Sequence, residues 1–189
     1  MAEAEKEKLD GIIRGCIRKV ARSQEMLYKR FFGYALSVAM IYSNHRDEAI
    51  EIVNDSFLKV FSEIGKYDPS FSFKSWLRKI VINNAIDRFR RNHKVHSFYD
   101  SEALLIPDES PGIISNLTAQ DILILLNKLP DVHKMVFQLY EIEGFSHEKI
   151  SGMLDIPESS SRVYLTRAKK RLRELFPVYF TVNYEKFGN

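Results

Sequence analysis

The sequence predicts an all-α protein made of two small helical domains joined by an extended linker, and three observations predict it. Glycine and proline are scarce, at 8 and 6 of 189 residues. Apolar positions recur every three or four residues instead of alternating with polar ones, which is the period of a helix that buries one face. That spacing disappears over residues 93–116, where turn formers collect in Pro107-Asp108-Glu109-Ser110-Pro111-Gly112, and then resumes. The expected organisation is a first domain over 1–93, a flexible acidic linker over 94–117, a second domain over 118–177, and an aromatic tail over 178–189 with no clear period and no assignment.

In the first half, periodicity predicts helices over about 9–20, 26–41, 49–64 and 73–89. Arg46-Asp47-Glu48 places acidic groups at the start of the third, and Gly65 with Asp68-Pro69 ends it. In the second half a helix over 118–128 breaks at Leu129-Pro130, and another runs from 131 to Gly144. Ser146 reads as the N-cap of a short helix to Leu154. A turn at Asp155-Ile156 then leads into a last helix over 157–176.

Composition narrows the function classes. Net charge is only +3, so a nucleic-acid partner has to be argued from where the cations lie. Cys16 is the single cysteine, which removes an internal disulfide, suggests a reducing compartment and fits a small buried side chain. No apolar run approaches the ~18 residues of a membrane span, and residues 2–8 are charged, so a soluble cytoplasmic chain without membrane insertion is expected. There is no phosphate-cradling glycine loop. His45, His93, His96, His133 and His147 are not spaced as metal ligands. No enzyme activity, metal, cofactor or small-molecule substrate is therefore expected.

Three constellations carry the functional signal. Residues 145–173 have the parts of a helix-turn-helix. In its second helix Ser161, Leu165, Ala168, Leu172, Leu175 and Phe176 share one face. The opposite face carries Ser159, Ser160, Val163, Thr166, Arg167 and Lys170, flanked by Arg162 and Arg171. Hydroxyls, an arginine suited to guanine and an outward valine able to meet a thymine methyl are the chemistry of duplex reading. Lys169, Lys170, Arg171 and Arg173 are better suited to phosphates. A solvated amphipathic helix is the plain alternative.

From residue 67 to 94, Tyr67, Phe71, Phe73, Trp76 and Phe89 are interleaved with Lys74, Arg78, Lys79, Arg88, Arg90, Arg91 and Lys94. Rings among cations suit unpaired strands, whose bases stack and whose phosphates need countercharge; several of these rings must also be ordinary core. Asn83 and Asn84 stand out as amides on a mostly apolar helix. In the third helix, Ala49, Ile50, Val53, Phe57, Val60, Phe61 and Ile64 are expected inside. Glu48, Glu51, Asp55, Leu58 and Ser62 lie opposite, with Ile52 and Asn54 at the edges. Leu58 among carboxylates suggests an apolar anchor inside a charged docking rim.

In this order the elements resemble the extracytoplasmic-function subfamily of sigma-70-type sigma factors. Residues 47–57 are similar to the polymerase-docking helix of region 2, and residues 66–77 with 80–87 to its promoter-melting segment. Leu129-Pro130, residues 144–150 and residues 167–172 have the spacing of region 4. The resemblance implies a transcription initiation factor in which Glu51, Asn54, Asp55 and Leu58 dock on core RNA polymerase. It implies that Tyr67, Phe71, Phe73, Trp76, Lys79, Asn83, Asp87 and Arg88 bind the single-stranded minus-ten element. It further implies that Ser159, Ser160, Arg162, Val163, Thr166, Arg167 and Lys170 bind the duplex minus-thirty-five element. An anti-sigma factor is a common partner in this family. Two positions depart from its pattern, Asp155 and Ser159, where glycine is frequent. A dimeric helix-turn-helix repressor is the rival, and it accounts for the second half alone.

Overall fold

In the computed structural model, residues 2–93 and 119–187 are described, and they divide into two compact units, Met1–Arg91 and Asn92–Asn189. The linker expected over 94–117 lies outside the described residues. The first unit holds α1 (Ala2–Ile17), α2 (Ala21–Tyr42), α3 (Arg46–Glu63) with a 3₁₀ turn at Ile64–Lys66, and α4 (Phe73–His93). The second holds α5 (Ala119–Leu126), α6 (Asp131–Phe137) running into a π-helical turn at Gln138–Ile142, α7 (His147–Leu154) and α8 (Glu158–Phe187).

The first core forms where the apolar stripes of α1 to α4 meet. Leu27, Ala35 and Ala39 of α2, Val53, Phe57 and Val60 of α3, and Leu77 and Val81 of α4 are 0–2% exposed. Each large side chain so buried stabilises the unit by about 1.5–3 kcal/mol, so these stripes fix how the helices are rotated. α1 and α2 cross closely at Gly15, where an added Cβ would lie 2.7 Å from Ser23 Cβ. Only glycine admits that approach without a shift.

Two corrections to the expected pattern follow from packing. In α3, Ile52 and Ser56 are buried whereas Ile50 and Phe61 are half-buried, so the inward face is turned from the expected one. Ser56 tolerates burial because its hydroxyl donates to the Ile52 carbonyl at 2.6 Å and accepts from Asn84 Nδ2 of α4 at 3.0 Å. α8 also continues through Pro177 to Phe187 instead of stopping at Phe176. Proline removes one backbone donor, yet Tyr179 beyond it donates to Asp121 Oδ1 of α5 at 2.7 Å, which ties the extension to the unit.

Helix ends explain the turns. Lys19 has φ +59°, with its N–H on the Cys16 carbonyl at 2.9 Å and the Val20 N–H on the Gly15 carbonyl at 3.0 Å. This pair of bonds is a Schellman stop with lysine where glycine is usual. Asp155, which ends α7, has φ 58° and ψ 47°, a left-handed conformation that aspartate tolerates better than most side chains. Gly144, at φ +71°, closes the π-helical turn.

Lys19→Gly is expected to stabilise the first unit, and Gly144→Ala to destabilise the second, each by about 1 kcal/mol, because a side chain in the left-handed region is strained and glycine is not. Urea denaturation followed by circular dichroism checks both signs; equal midpoints for all three proteins would contradict the assigned backbone.

Candidate nucleic-acid interfaces and docking face

The α7–turn–α8 segment is assembled by short-range polar bonds. Ser146 caps α7 by accepting the Lys149 N–H at 3.3 Å, and Ser151 Oγ donates across the turn to the Ile156 carbonyl at 2.6 Å. Leu165 and Ala168 of α8 are buried, and Ala168 joins Leu126 and Leu129 in a cluster backed by Phe137 and Leu172. Ser161 is fully buried too, its hydroxyl 2.9 Å from His147 Nδ1, so a polar group on the inner face is satisfied by the helix in front of it. The His147 ring stacks on Tyr140 at 4.5 Å.

Burying that stripe turns the other outward. Ser159, Arg162, Val163, Thr166 and Arg167 are exposed, and Ser160 and Lys170 are half-buried. Val163 is 45% exposed, an apolar group between the cations of this outward face. Arg167 has no ion pair or hydrogen bond among the described residues, whereas Arg162 pairs with Glu158 one turn earlier. An exposed pair of that kind is worth only about 0–1 kcal/mol, so Arg162 can exchange its carboxylate for a phosphate or a base edge. Lys169 is engaged by Glu141 of the π-helical turn at 2.7 Å, and Arg171 by Glu174 at 3.2 Å. The run of cations after Arg167 is therefore partly neutralised from within.

The second surface surrounds the entry to α4. Asp68 shapes the preceding turn by accepting the Ser70 N–H at 2.9 Å, and that bond holds its carboxyl below the usual aspartate range. Tyr67, Phe73 and Trp76 form a ring cluster with centroids 5.4–5.7 Å apart. Tyr67 donates to the Phe71 carbonyl at 2.6 Å, and burial, with Asp10 and Asp68 adding to it, raises its phenol so that it stays protonated. Phe71 stands 67% exposed at the tip, while Phe73 is 3% exposed and packs on Phe31 at 4.6 Å. Phe73 thus supports Tyr67 and Trp76 from beneath and does not itself face a ligand.

Along α4, Lys79 is exposed without a partner among the described residues, Asn83 is half-buried likewise, and Asp87 pairs with Arg90 at 2.7 Å. Asn84 is turned to α3, which resolves the two amides: one faces outward and the other is structural. Arg88 also departs from the minus-ten set, because it is turned to α3, where it meets Glu48 and Glu51.

On α3, Glu51, Asn54 and Asp55 are exposed around Leu58, itself 70% exposed. Asn54 is held by Tyr28, whose hydroxyl donates to Asn54 Oδ1 at 3.0 Å. Sequence reasoning missed Tyr140 and Glu141 and placed Glu48 only on the outward face of α3; all three make contacts between helices. His147 is not spaced as a metal ligand, and the N-cap Ser146 just before it is the one nearby signal in the sequence. Among the described residues no group of histidine, cysteine or acidic side chains could hold a metal, and no helix is long and apolar enough to cross a membrane.

These features define an all-helical protein of two units, the second carrying a helix-turn-helix. Residues 27–95 match the family model for sigma-70 region 2, and residues 119–172 that for sigma-70 region 4. The ECF RNA polymerase sigma factor SigE of Mycolicibacterium smegmatis is 25% identical over 137 residues, 70% of this chain and 53% of that protein. The chain thus spans about half the length of that relative. The RNA polymerase sigma factor CarQ of Myxococcus xanthus is 28% identical over 67% of this chain and 74% of its own length. The ECF RNA polymerase sigma factor SigW of Bacillus subtilis is 27% identical over 75% and 81%. Among solved structures, the sigma factor RpoE in complex with the anti-sigma factor NepR from Bartonella quintana aligns with a TM-score of 0.49 at 22% identity, over 82% of this chain and 96% of that one. The chain belongs to the extracytoplasmic-function subfamily of sigma-70-type RNA polymerase sigma factors, which act in transcription initiation and are not enzymes.

Burial lowers the His147 imidazole below the ordinary histidine range; Arg162 and Lys169 push the same way and Glu158 opposes them. The unfolded chain therefore takes up this proton first. The contribution of neutral His147 is complete above about pH 6.5 and is lost as pH falls through the lower folded value. Denaturation midpoints of the second unit are expected to drop between pH 7 and pH 5 in the wild type and to drop less in His147→Gln, in about 0.1 M salt to screen distant charges.

Proposed function

We infer that the chain binds core RNA polymerase through Glu51, Asn54, Asp55 and Leu58 of α3, and directs it to promoters in the cytoplasm. Two readers of different DNA states support this. The outward face of α8, with Ser159, Ser160, Arg162, Val163, Thr166, Arg167 and Lys170, takes duplex DNA at the minus-thirty-five element. Tyr67, Phe71, Trp76, Lys79, Asn83 and Asp87 take the opened strand at the minus-ten element. Opening is then a population shift: the first unit binds separated strands more tightly than paired ones. The observation that carries the reading is the pairing, in one chain, of the exposed Phe71 beside half-buried Tyr67 and Trp76 at the entry to α4 with an exposed valine, and an arginine unpaired among the described residues, on a helix-turn-helix. Polymerase supplies the tether, so neither unit needs high affinity alone. The domain limits follow the same division, with docking and melting in 1–93, a linker over 94–117 and duplex reading in 118–177.

Two experiments test it. Asp55→Arg combined with Leu58→Arg is expected to abolish recovery of core polymerase in a pull-down while leaving helical content unchanged; equal recovery would remove the docking assignment. On a start site mapped with the wild-type holoenzyme, Trp76→Ala and Arg167→Ala should each weaken promoter use, by about 1–3 kcal/mol. A pre-melted template should rescue Trp76→Ala and leave Arg167→Ala impaired. Rescue of both alike, or binding of a palindrome without polymerase, would favour a conventional repressor.

A further inference from the structure

Arg88 lies on the side of α4 that faces away from Lys79, Asn83 and Asp87. It ends the stripe Leu77, Val81, Asn84 and Arg88, at helical spacing, whose first two members are fully buried and whose third donates to Ser56. Its guanidinium crosses to the docking helix, with Nε 3.4 Å from Glu48 Oε1 and Nη2 2.5 Å from Glu51 Oε2. Glu48 is fixed from its other side, since its Oε2 accepts the Asn44 backbone N–H at 3.1 Å. The side chains of Arg88 and Glu48 are each 27% exposed, and that of Glu51 is 60% exposed. A sequence of contacts thus runs from the backbone before α3, through Glu48 and Arg88, to a carboxylate on the rim around Leu58.

An ion pair between two free-swinging surface groups stabilises little, because ordering both ends offsets the attraction. Here Arg88 is partly buried and also lies at ion-pair distance from Glu48, so Glu51 is the most exposed of the three groups that the contact orders. Glu48 and Glu51, one turn apart, would repel each other without the cation between them.

We propose that Arg88 is a positioning residue for polymerase docking: it holds the Glu51 carboxylate in the orientation that the partner meets and fastens the docking helix to α4. This rests on the docking reading above. Arg88 acts through Glu51 and touches no DNA.

A double-mutant cycle on the full chain tests this, measuring affinity for core polymerase with the wild type, Arg88→Ala, Glu51→Gln and the double variant. Arg88→Ala is expected to weaken binding about tenfold in the wild-type background and about twofold or less in Glu51→Gln. A merely structural role would lower the urea midpoint and weaken both backgrounds by the same factor, and that result would overturn the proposal. In a second arm, the assembled holoenzyme is titrated with single-stranded non-template DNA from the mapped start site. Unchanged affinity in Arg88→Ala is expected; loss there with intact core affinity would return Arg88 to the DNA surface. If the wild type does not bind core polymerase, the docking reading fails and this assignment falls with it. If it binds and the variants are additive, only this assignment fails.

Discussion

Each helical face proposed as a functional surface in this protein is the reverse side of a buried stripe, and that single constraint governs the rest. A helix that commits Leu77 and Val81 to the core must present Lys79 and Asn83 elsewhere, since a residue two places along lies on another face. The same geometry makes Ser161, Leu165 and Ala168 the inner side of α8 and Val163 and Arg167 its outer side. Rotation of α8 by one residue would bring Arg162 inward, where an unpaired guanidinium costs several kcal/mol, on the order of the net stability of a small domain. The core therefore sets the register of the outward face of α8 more firmly than any surface contact could.

Polar groups refine what the core fixes coarsely. The His147–Ser161 contact joins α7 to α8 at a buried point, the Ser56–Asn84 contact joins α3 to α4, and Tyr179 joins the extension of α8 to α5. All three are side-chain bonds between different helices, and the first two satisfy a fully buried serine that would be expensive to bury alone. The π-helical turn has a similar role. One extra residue per turn swings Tyr140 against His147 and lets Glu141 reach Lys169. Lys169 is thereby held to the protein, while Arg167 has no ion pair or hydrogen bond among the described residues.

What could be read from the sequence follows from the same physics. Periodicity alone placed both faces of α8 and the exposed Leu58, because each depends only on the angle between residues of one helix. It could not see that α3 is packed by both α2 and α4, so Ser56 was not expected inside and the inner face was set slightly askew. The direction of Arg88 was illegible for a related reason: in a run of cations on a mostly apolar helix, only the position of Glu48 and Glu51 on the neighbouring helix decides which one turns inward. Phe73 lies in a segment of exposed rings by sequence, yet Phe31 draws it into the core. The continuation of α8 past Pro177 depends on a partner 58 residues away in sequence, beyond the reach of any local rule.

Magnitudes also bear on why such a chain works with a larger partner. Separating a base-pair step costs about 1.4 kcal/mol on average, and a base stacked on an aromatic side chain recovers about 1–3 kcal/mol. Phe71 is exposed and Trp76 is half-buried above Phe73, so each platform offsets on the order of one or two steps. That is enough to favour a short opened stretch already held in place, and too little to open duplex DNA from solution. On the proposed division of labour, the duplex reader selects the site, polymerase holds both units near it, and the rings convert a transient opening into a captured one. Docking and melting then have to share one rigid body, since a platform that moved relative to the docking helix would lose its register with the strand. The α3–α4 contacts at Ser56, Asn84, Glu48, Glu51 and Arg88 join the two helices at the border between the two proposed surfaces.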